Sequence, residues 1–272
     1  MNSTLAFIGG GNMASAIIGG LIKAGRPADS ILVVEPFEAQ RAKLQAEFAG
    51  LRVHEAAANA GLAEAALLVW AVKPQLFGAA AAPCAAHVSQ ALQLSVMAGI
   101  RSETIARATG AARVVRAMPN TPALIGQGIA GLYANAAVSA ADRALVEAVL
   151  APTGRTLWVD AEADLDAVTA LSGSGPAYFF YVVEAMTAAA QQMGLSEAQG
   201  RELALATCAG AAALGLQSSE SPSVLRERVT SKGGTTYAAI TSMQAAGVGE
   251  AIQRAVLAAQ HRARELGDEF AG

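Results

Sequence analysis

The stretch Leu5-Ala-Phe-Ile-Gly-Gly-Gly-Asn-Met-Ala-Ser-Ala-Ile-Ile-Gly-Gly-Leu21 constrains this chain more than any other. It opens with a short apolar run, as a parallel strand buried on both faces requires. Gly9, Gly10 and Gly11 then turn the chain, and Met13, Ala16, Ile17 and Leu21 follow at the spacing of one helix face. Strand, glycine turn and helix in this order form a phosphate-binding corner. Gly9 permits the tight turn, Gly11 lets the backbone approach a pyrophosphate, and Ala14 takes the third small position, where helix packs on strand. The N–H groups at the helix start, with the helix dipole, suit the phosphates of a dinucleotide. A plain glycine turn in another kind of α/β protein has the same appearance, so the motif needs support from the rest of the chain.

That support comes from the first 160 residues. After a helix stop at Lys23-Ala-Gly25, residues 31–34 read as a second strand ending at Glu35. An acid about twenty positions past the glycine turn is placed to bind the adenosine ribose hydroxyls and to repel a 2′-phosphate. It leans the cofactor toward NADH. Arg41 and Lys43 on the next helix could offset it, and a strand-end carboxylate that is simply solvated is an equal reading. Residues 37–48 have helical spacing, and Asn59 among its alanines begins a short helix. Leu67-Leu-Val-Trp-Ala-Val72 is a further buried strand running into Lys73-Pro74-Gln75. Ala71 to Gln75 therefore falls beyond a strand end, where ligands lie in an open parallel sheet. Lys73 is one of only four lysines and follows six apolar residues; a lysine that merely reaches solvent is the alternative.

Residues 75–90 read as an alanine-rich helix kinked at Pro83, residues 92–97 as a strand ending in Ala98-Gly99, and Ser102 as the cap of a short helix. A strand over 113–118 leads into Pro119-Asn120-Thr121-Pro122, where two prolines predict a rigid, extended loop. Asn120 either presents its amide to a ligand or shapes a turn. Strands over 128–133 and 156–159 flank a helix over 139–150. The pattern is a largely parallel sheet with interleaved helices.

Character changes near Asp160, beyond which helical patterns carry almost no strand signal. Pro176 suits the first turn of a helix over 177–193, and Ser196-Glu-Ala-Gln199 is a capping box for a helix reaching about 216. A last helix spans about 248–266. The expected fold is α/β: an N-terminal Rossmann-type dinucleotide-binding domain over 1–160, then an all-helical domain over 161–272. So apolar a helical half is expected to pack on a second copy of the chain, with a monomeric helical lid as the alternative.

At 53% hydrophobic and 15% charged residues, the chain can bury a large core, and its net charge of −3 gives no electrostatic reason to expect nucleic acid or an anionic membrane. Cys84 and Cys208 stand far apart among alanines, which suggests neither a disulfide scaffold nor a metal site. The apolar run 203–216 is too short and too rich in Ala and Gly to span a membrane. No basic-then-apolar leader precedes the first strand, and the chain is expected to be cytoplasmic.

A second chemical stretch is Val229-Thr-Ser-Lys-Gly-Gly-Thr-Thr-Tyr-Ala-Ala-Ile240. One helix closes at Lys232-Gly233-Gly234 and another opens at Thr235-Thr236. Two glycines beside two threonines at a helix start make a nest of backbone donors fit for a carboxylate or phosphate. An ordinary threonine N-cap is an equal reading.

Phe7-Ile-Gly-Gly-Gly-Asn-Met13, Ala71-Val-Lys-Pro-Gln75, Met118-Pro-Asn-Thr-Pro122, Leu171-Ser-Gly-Ser-Gly-Pro-Ala177 and Val229 to Thr236 together resemble the pyrroline-5-carboxylate reductase family over essentially the whole chain. The family normally has Pro before the paired glycines, where this chain has Lys232. The resemblance implies NADPH- or NADH-dependent reduction of the cyclic imine 1-pyrroline-5-carboxylate to L-proline, the last step of proline synthesis. It implies a homodimer formed by the helical domain, often assembled into larger rings. It places Thr236 on the ring nitrogen of the substrate and Ser231, Gly233, Gly234 and Thr235 around the substrate. It places the cofactor against Gly9, Gly11, Asn12, Met13, Glu35, Asn59, Ala71, Val72, Lys73, Pro74, Ala98 and Asn120, and no metal. His54, His87 and His261 lie outside every motif. A hydroxyacid-type dehydrogenase shares this architecture but typically relies on a lysine inside a helix of its second domain, and Lys232 is the only lysine after residue 160. A nucleotide-sensing regulator without catalysis would be favoured by a broken threonine nest, and this one is intact.

Overall fold

Leu5 and Phe7 point to one side of strand β1 (Thr4–Ile8), and Ala6 and Ile8 to the other, each pair into its own hydrophobic core. Strand β4 (Ala65–Trp70) divides the same way, with Leu67 and Val69 on one face and Leu68 and Trp70 on the other. The period of two along a strand turns continuous apolar runs into a sheet with a core on each side. The computed structural model describes residues 3–270, apart from the side chain of Asn59. The remaining strands are β2 (Ile31–Val34), β3 (Arg52–His54), β5 (Leu92–Ser95), β6 (Val114–Met118), β7 (Gly128–Ala134) and β8 (Gly154–Trp158), in the order β3-β2-β1-β4-β5-β6-β7-β8. All neighbours are parallel except β6 and β7. The link between those two holds only a 3₁₀ turn, Thr121–Ile125, and is too short for the crossover that a parallel pair needs.

Helices α1 (Asn12–Lys23), α2 (Glu38–Glu47), α3 (Phe77–Ala81), α4 (Ala85–Val88), α5 (Ser102–Thr109), α6 (Ala140–Leu150) and α7 (Asp164–Val168) belong to the same unit. Three local expectations change. Residues 75–90 form two short helices, because Pro83 breaks the pattern instead of kinking it. The prolines around Asn120 lead into a 3₁₀ turn, Pro122 being compatible with its start. Ser102 is the first residue of α5 and not its cap; the carboxylate of Glu162, sixty residues away, accepts the Ser102 N–H at 2.6 Å and its hydroxyl at 2.7 Å.

Chain character does change at 160, yet packing on the sheet continues beyond it. A Cβ on Gly131 of β7 would lie 2.6 Å from Val168, and one on Gly173 would lie 2.7 Å from Met118, so both glycines make room for close contact. The first compact unit accordingly comprises Met1–Ser174 and Ala259–Gly272. Its returning segment lays Gly267 against Arg101 and Phe270 against Gly99.

The second unit is Gly175–Ala258. It contains α8 (Gly175–Gln192), α9 (Glu197–Gln217), α10 (Pro222–Arg228), α11 (Thr235–Ala245) and the first half of α12 (Val248–Glu269). The capping box forms as the sequence predicts: the Ser196 hydroxyl accepts the Gln199 N–H at 3.2 Å and the Gln199 side chain accepts the Ser196 N–H at 2.9 Å. Gly200 brings α9 close to Ala190 of α8. Phe179, Phe180, Tyr181, Met193, Leu214 and Leu216 all remain exposed in the single chain. No helix among the described residues is long and apolar enough to cross a membrane.

Candidate functional site

The chain runs outward from β1 through β2 to β3, then crosses to β4 on the other side of β1. The crevice of such a sheet opens at that switch point, beyond the carboxyl ends of β1 and β4. Three glycines stand there for different reasons. Gly9 has φ +93°, and a Cβ would lie 2.7 Å from the Ala71 carbonyl oxygen. Gly10 has Leu44 2.5 Å from where its Cβ would be. Gly11 has nothing within 4 Å of that position, so open space lies over the start of α1. Gly11 is the N-cap of α1, no side chain caps the helix, and its first turn holds no acid. Helices α6, α9 and α10 are all capped by serine hydroxyls. The bare start of α1 thus leaves its N–H groups for an external anion. Ala14 is fully buried where α1 meets the sheet.

Asn12 is exposed and Met13 half-buried at the start of α1. Glu35 ends β2 but is buried, which excludes the solvated reading. Its carboxylate accepts the Gly10 N–H at 2.8 Å and the Phe37 N–H at 2.9 Å. It braces the glycine turn from below, a role the spacing alone did not suggest. The Gln40 amide donates to the Gly10 carbonyl from the same side. Arg41 donates to the Glu35 and Pro36 carbonyls and lies 3.6 Å from Glu55, so much of its hydrogen-bonding capacity is engaged beside β2. Asn59 closes a 3₁₀ turn, Ala57–Asn59; its side chain lies outside the described residues.

Ala71 and Val72 follow β4, with the Ala71 N–H donating to the Ile8 carbonyl at 2.9 Å. Lys73 is exposed and Pro74 starts a 3₁₀ turn after it. Ala98 follows β5, half-buried. The carboxyl ends of β1, β2, β4, β5 and β6 share one edge of the sheet, which brings Gly9, Glu35, Ala71 to Pro74, Ala98 and Asn120 to that edge. Asn120 does not present its amide there. Its oxygen accepts the Ile129 N–H at 3.0 Å and its nitrogen donates to the Ser172 carbonyl at 3.2 Å. Both ends of the amide hold the framework, so the turn-shaping reading is the observed one.

An ion pair between a buried arginine and a half-buried carboxylate stands behind this edge. Arg116 of β6 donates to Glu162 at 2.9 Å, and Glu162 also holds the start of α5 through Ser102. Burial pushes the Glu162 carboxyl up, but the Ser102 hydrogen bonds and the Arg116 guanidinium outweigh it and hold the group below the ordinary carboxylate value. Among the described residues no group of three His, Cys, Asp or Glu side chains could hold a metal ion. Cys84 is buried and desolvation pushes its thiol up to about 11, which leaves it inert.

In the second unit, α10 starts on Pro222 under the Ser221 cap. The chain then turns through Ser231 to Gly234, with Gly233 at φ +75°. The Gly234 N–H donates to the Ser231 carbonyl at 3.0 Å, and the Ser231 hydroxyl would lie 2.7 Å from a Cβ on Gly234. Gly234 is the N-cap of α11, without a side-chain cap and with no acid in the first turn. The threonine N-cap reading is therefore excluded: Thr235 and Thr236 are the first two helical residues, and Thr236 is half-buried. The starts of α1 and α11 are alike, each glycine-led, uncapped and free of acids.

A family pattern for pyrroline-5-carboxylate reductase dimerisation matches residues 162–266, and one for NADP oxidoreductase, coenzyme F420-dependent, matches residues 4–99. A pyrroline-5-carboxylate reductase from Pseudomonas aeruginosa is 47% identical over 268 residues, 98% of this chain and 97% of that protein. The structure of a pyrroline-5-carboxylate reductase from Coxiella burnetii matches with a TM-score of 0.91 at 35% identity, over 98% of this chain and 99% of that one. A Plasmodium falciparum pyrroline carboxylate reductase with NADP bound matches with a TM-score of 0.85 at 26% identity, over 98% of each chain. Sequence, fold and the two bare helix starts converge, and the chain belongs to the pyrroline-5-carboxylate reductase family of NAD(P)-dependent oxidoreductases.

Proposed function

We propose that this chain reduces 1-pyrroline-5-carboxylate to L-proline, with the first unit holding the dinucleotide and the nest of the second holding the substrate. The observation that carries the reading is the pair of uncapped, glycine-led helix starts, one in each unit. At α1, the N–H groups of the first turn take the pyrophosphate under the open space over Gly11. Asn12, Met13, Val72, Lys73, Pro74 and Ala98 line the rest of that edge, and Asn120 serves it from behind as a brace. Reduced nicotinamide, when bound, supplies the hydride for the imine carbon. At α11, the N–H groups near Gly234, Thr235 and Thr236 hold the substrate carboxylate, with Ser231 a further contact. The Thr236 hydroxyl bonds the ring nitrogen, orients it and relays a proton from water, being too weak an acid to donate one outright. No histidine is needed: His261 pairs with Glu265 at 3.2 Å on the exposed face of α12.

The test is to add the imine to purified protein and follow loss of reduced-nicotinamide absorbance with NADH and NADPH in parallel. Imine-dependent oxidation is expected; binding of both cofactors without oxidation would overturn the reading. The buried Glu35 carboxylate puts negative charge where a 2′-phosphate would come, which favours NADH. Glu35→Ser is expected to raise the NADPH-to-NADH ratio of kcat/KM about tenfold, the order of one like charge removed several ångströms from the 2′-phosphate. Both cofactors should also bind less well, because the Gly10 N–H loses its acceptor. An unchanged ratio would show that Glu35 only braces the turn. The exposed apolar side chains of the helical unit, within the segment matched by the dimerisation pattern, support a homodimer or a larger ring. Two free cysteines fit a cytoplasmic setting.

A further inference from the structure

Beside the nest, between α10 and α11, lies an open cleft of about 410 Å³ whose lining includes Arg226, Glu227, Lys232, Tyr237, Ile240 and Gln244. Its charge is unbalanced. Arg226 and Lys232 are exposed, and neither makes an ion pair or side-chain hydrogen bond among the described residues. Arg228, two residues beyond Arg226, is paired with Glu220 at 2.6 Å. Glu227 is the single acid on the cleft wall, so two cations face one anion in a chain whose net charge is −3. Lys232 directly precedes Gly233, which turns the chain into α11, and the uncapped start of that helix adds positive potential of the same sign.

We infer that Lys232, with Arg226 behind it, is a specificity-determining residue: the pair draws in and selects cyclic imines that carry a carboxylate over neutral ones. The inference rests on the substrate reading given above. A mobile surface charge near the nest acts on capture, because its attraction for the carboxylate is similar in the bound substrate and in the transition state. Lys232→Gln should therefore raise KM for 1-pyrroline-5-carboxylate about threefold, the order of one screened charge several ångströms away, and leave kcat unchanged. It should flatten the fall of kcat/KM with added salt. It should leave kcat/KM for unsubstituted 1-pyrroline unchanged. Lys232→Arg should restore the wild-type salt slope, and Lys232→Pro should behave as the glutamine variant does. Equal KM and salt slope in Lys232→Gln and wild type would overturn the inference, as would equal losses on the charged and the neutral imine. Should wild type reduce neither imine, or Thr236→Ala match it on the charged one, the substrate reading falls and this inference with it. A wild-type salt slope kept by Lys232→Gln, beside a disabled Thr236→Ala, removes Lys232 alone.

Discussion

Thr236→Ala is expected to lower kcat about 100-fold and to leave the affinity for reduced cofactor unchanged. The size follows from losing one preorganised donor at the atom where charge changes, which typically lowers turnover by two to three powers of ten. The ring nitrogen gains electron density as hydride reaches the carbon, so its hydrogen bond strengthens along the reaction and the loss falls on kcat more than on KM. Folding does not confuse the result. Gly234 is the N-cap of α11 and no side chain caps that helix, so removing the hydroxyl uncaps nothing. Thr236→Ser keeps a hydroxyl and is expected to recover most of the rate. Steady-state rates with saturating imine, and cofactor binding followed by nucleotide fluorescence, separate the two effects. A kcat within twofold of wild type would remove Thr236 from the chemistry.

Why could so much of this site be read from one sequence, and where did reading stop? Strands buried on both faces announce themselves as apolar runs, and β1 and β4 were visible for that reason. The starts of α1 and α9 were visible because glycine turns and capping boxes are local codes within a few residues. Strand β3 was not, because three half-buried residues, Arg52 to His54, form no pattern distinct from a loop. The contacts of Gly10 with Leu44 and Glu35 have no local signal in the glycine turn. Bonds across long separations were equally invisible. Glu162 caps a helix sixty residues earlier, and Asn120 bridges to Ser172 and Ile129. Packing in place of pattern also explains the boundary: residues 164–173 are helical, but nothing in their composition says that Val168 fits against Gly131. Local turn and capping codes are legible in the sequence, and the long-range supports that hold them in place are not.

The largest of those supports is testable through its charge. Arg116→Ala is expected to destabilise the protein by about 3 kcal/mol at pH 7, the order seen when one partner of a buried ion pair is removed. Glu162 would remain half-buried against Ser102 without its cation. The pH dependence identifies the cause. In wild type the Glu162 carboxyl is held below its unfolded value, so its stabilisation is complete at neutral pH and is lost as pH falls through the folded value. In the variant, burial is no longer offset by the guanidinium, and protonating Glu162 relieves the penalty. The gap between wild type and Arg116→Ala should therefore narrow on acidification from pH 7 to below the ordinary carboxylate range. Arg116→Met with Glu162→Gln, which removes both charges, should recover much of the loss. The recovery has an added source, since the buried Arg116 Nε has no hydrogen-bond partner among the described residues to forfeit. Urea unfolding at fixed protein concentration, needed because a self-associating chain gains stability by mass action, measures each step. A gap that stays constant with pH, or a double variant no better than Arg116→Ala, would mean that the arginine acts by filling space and not by charge.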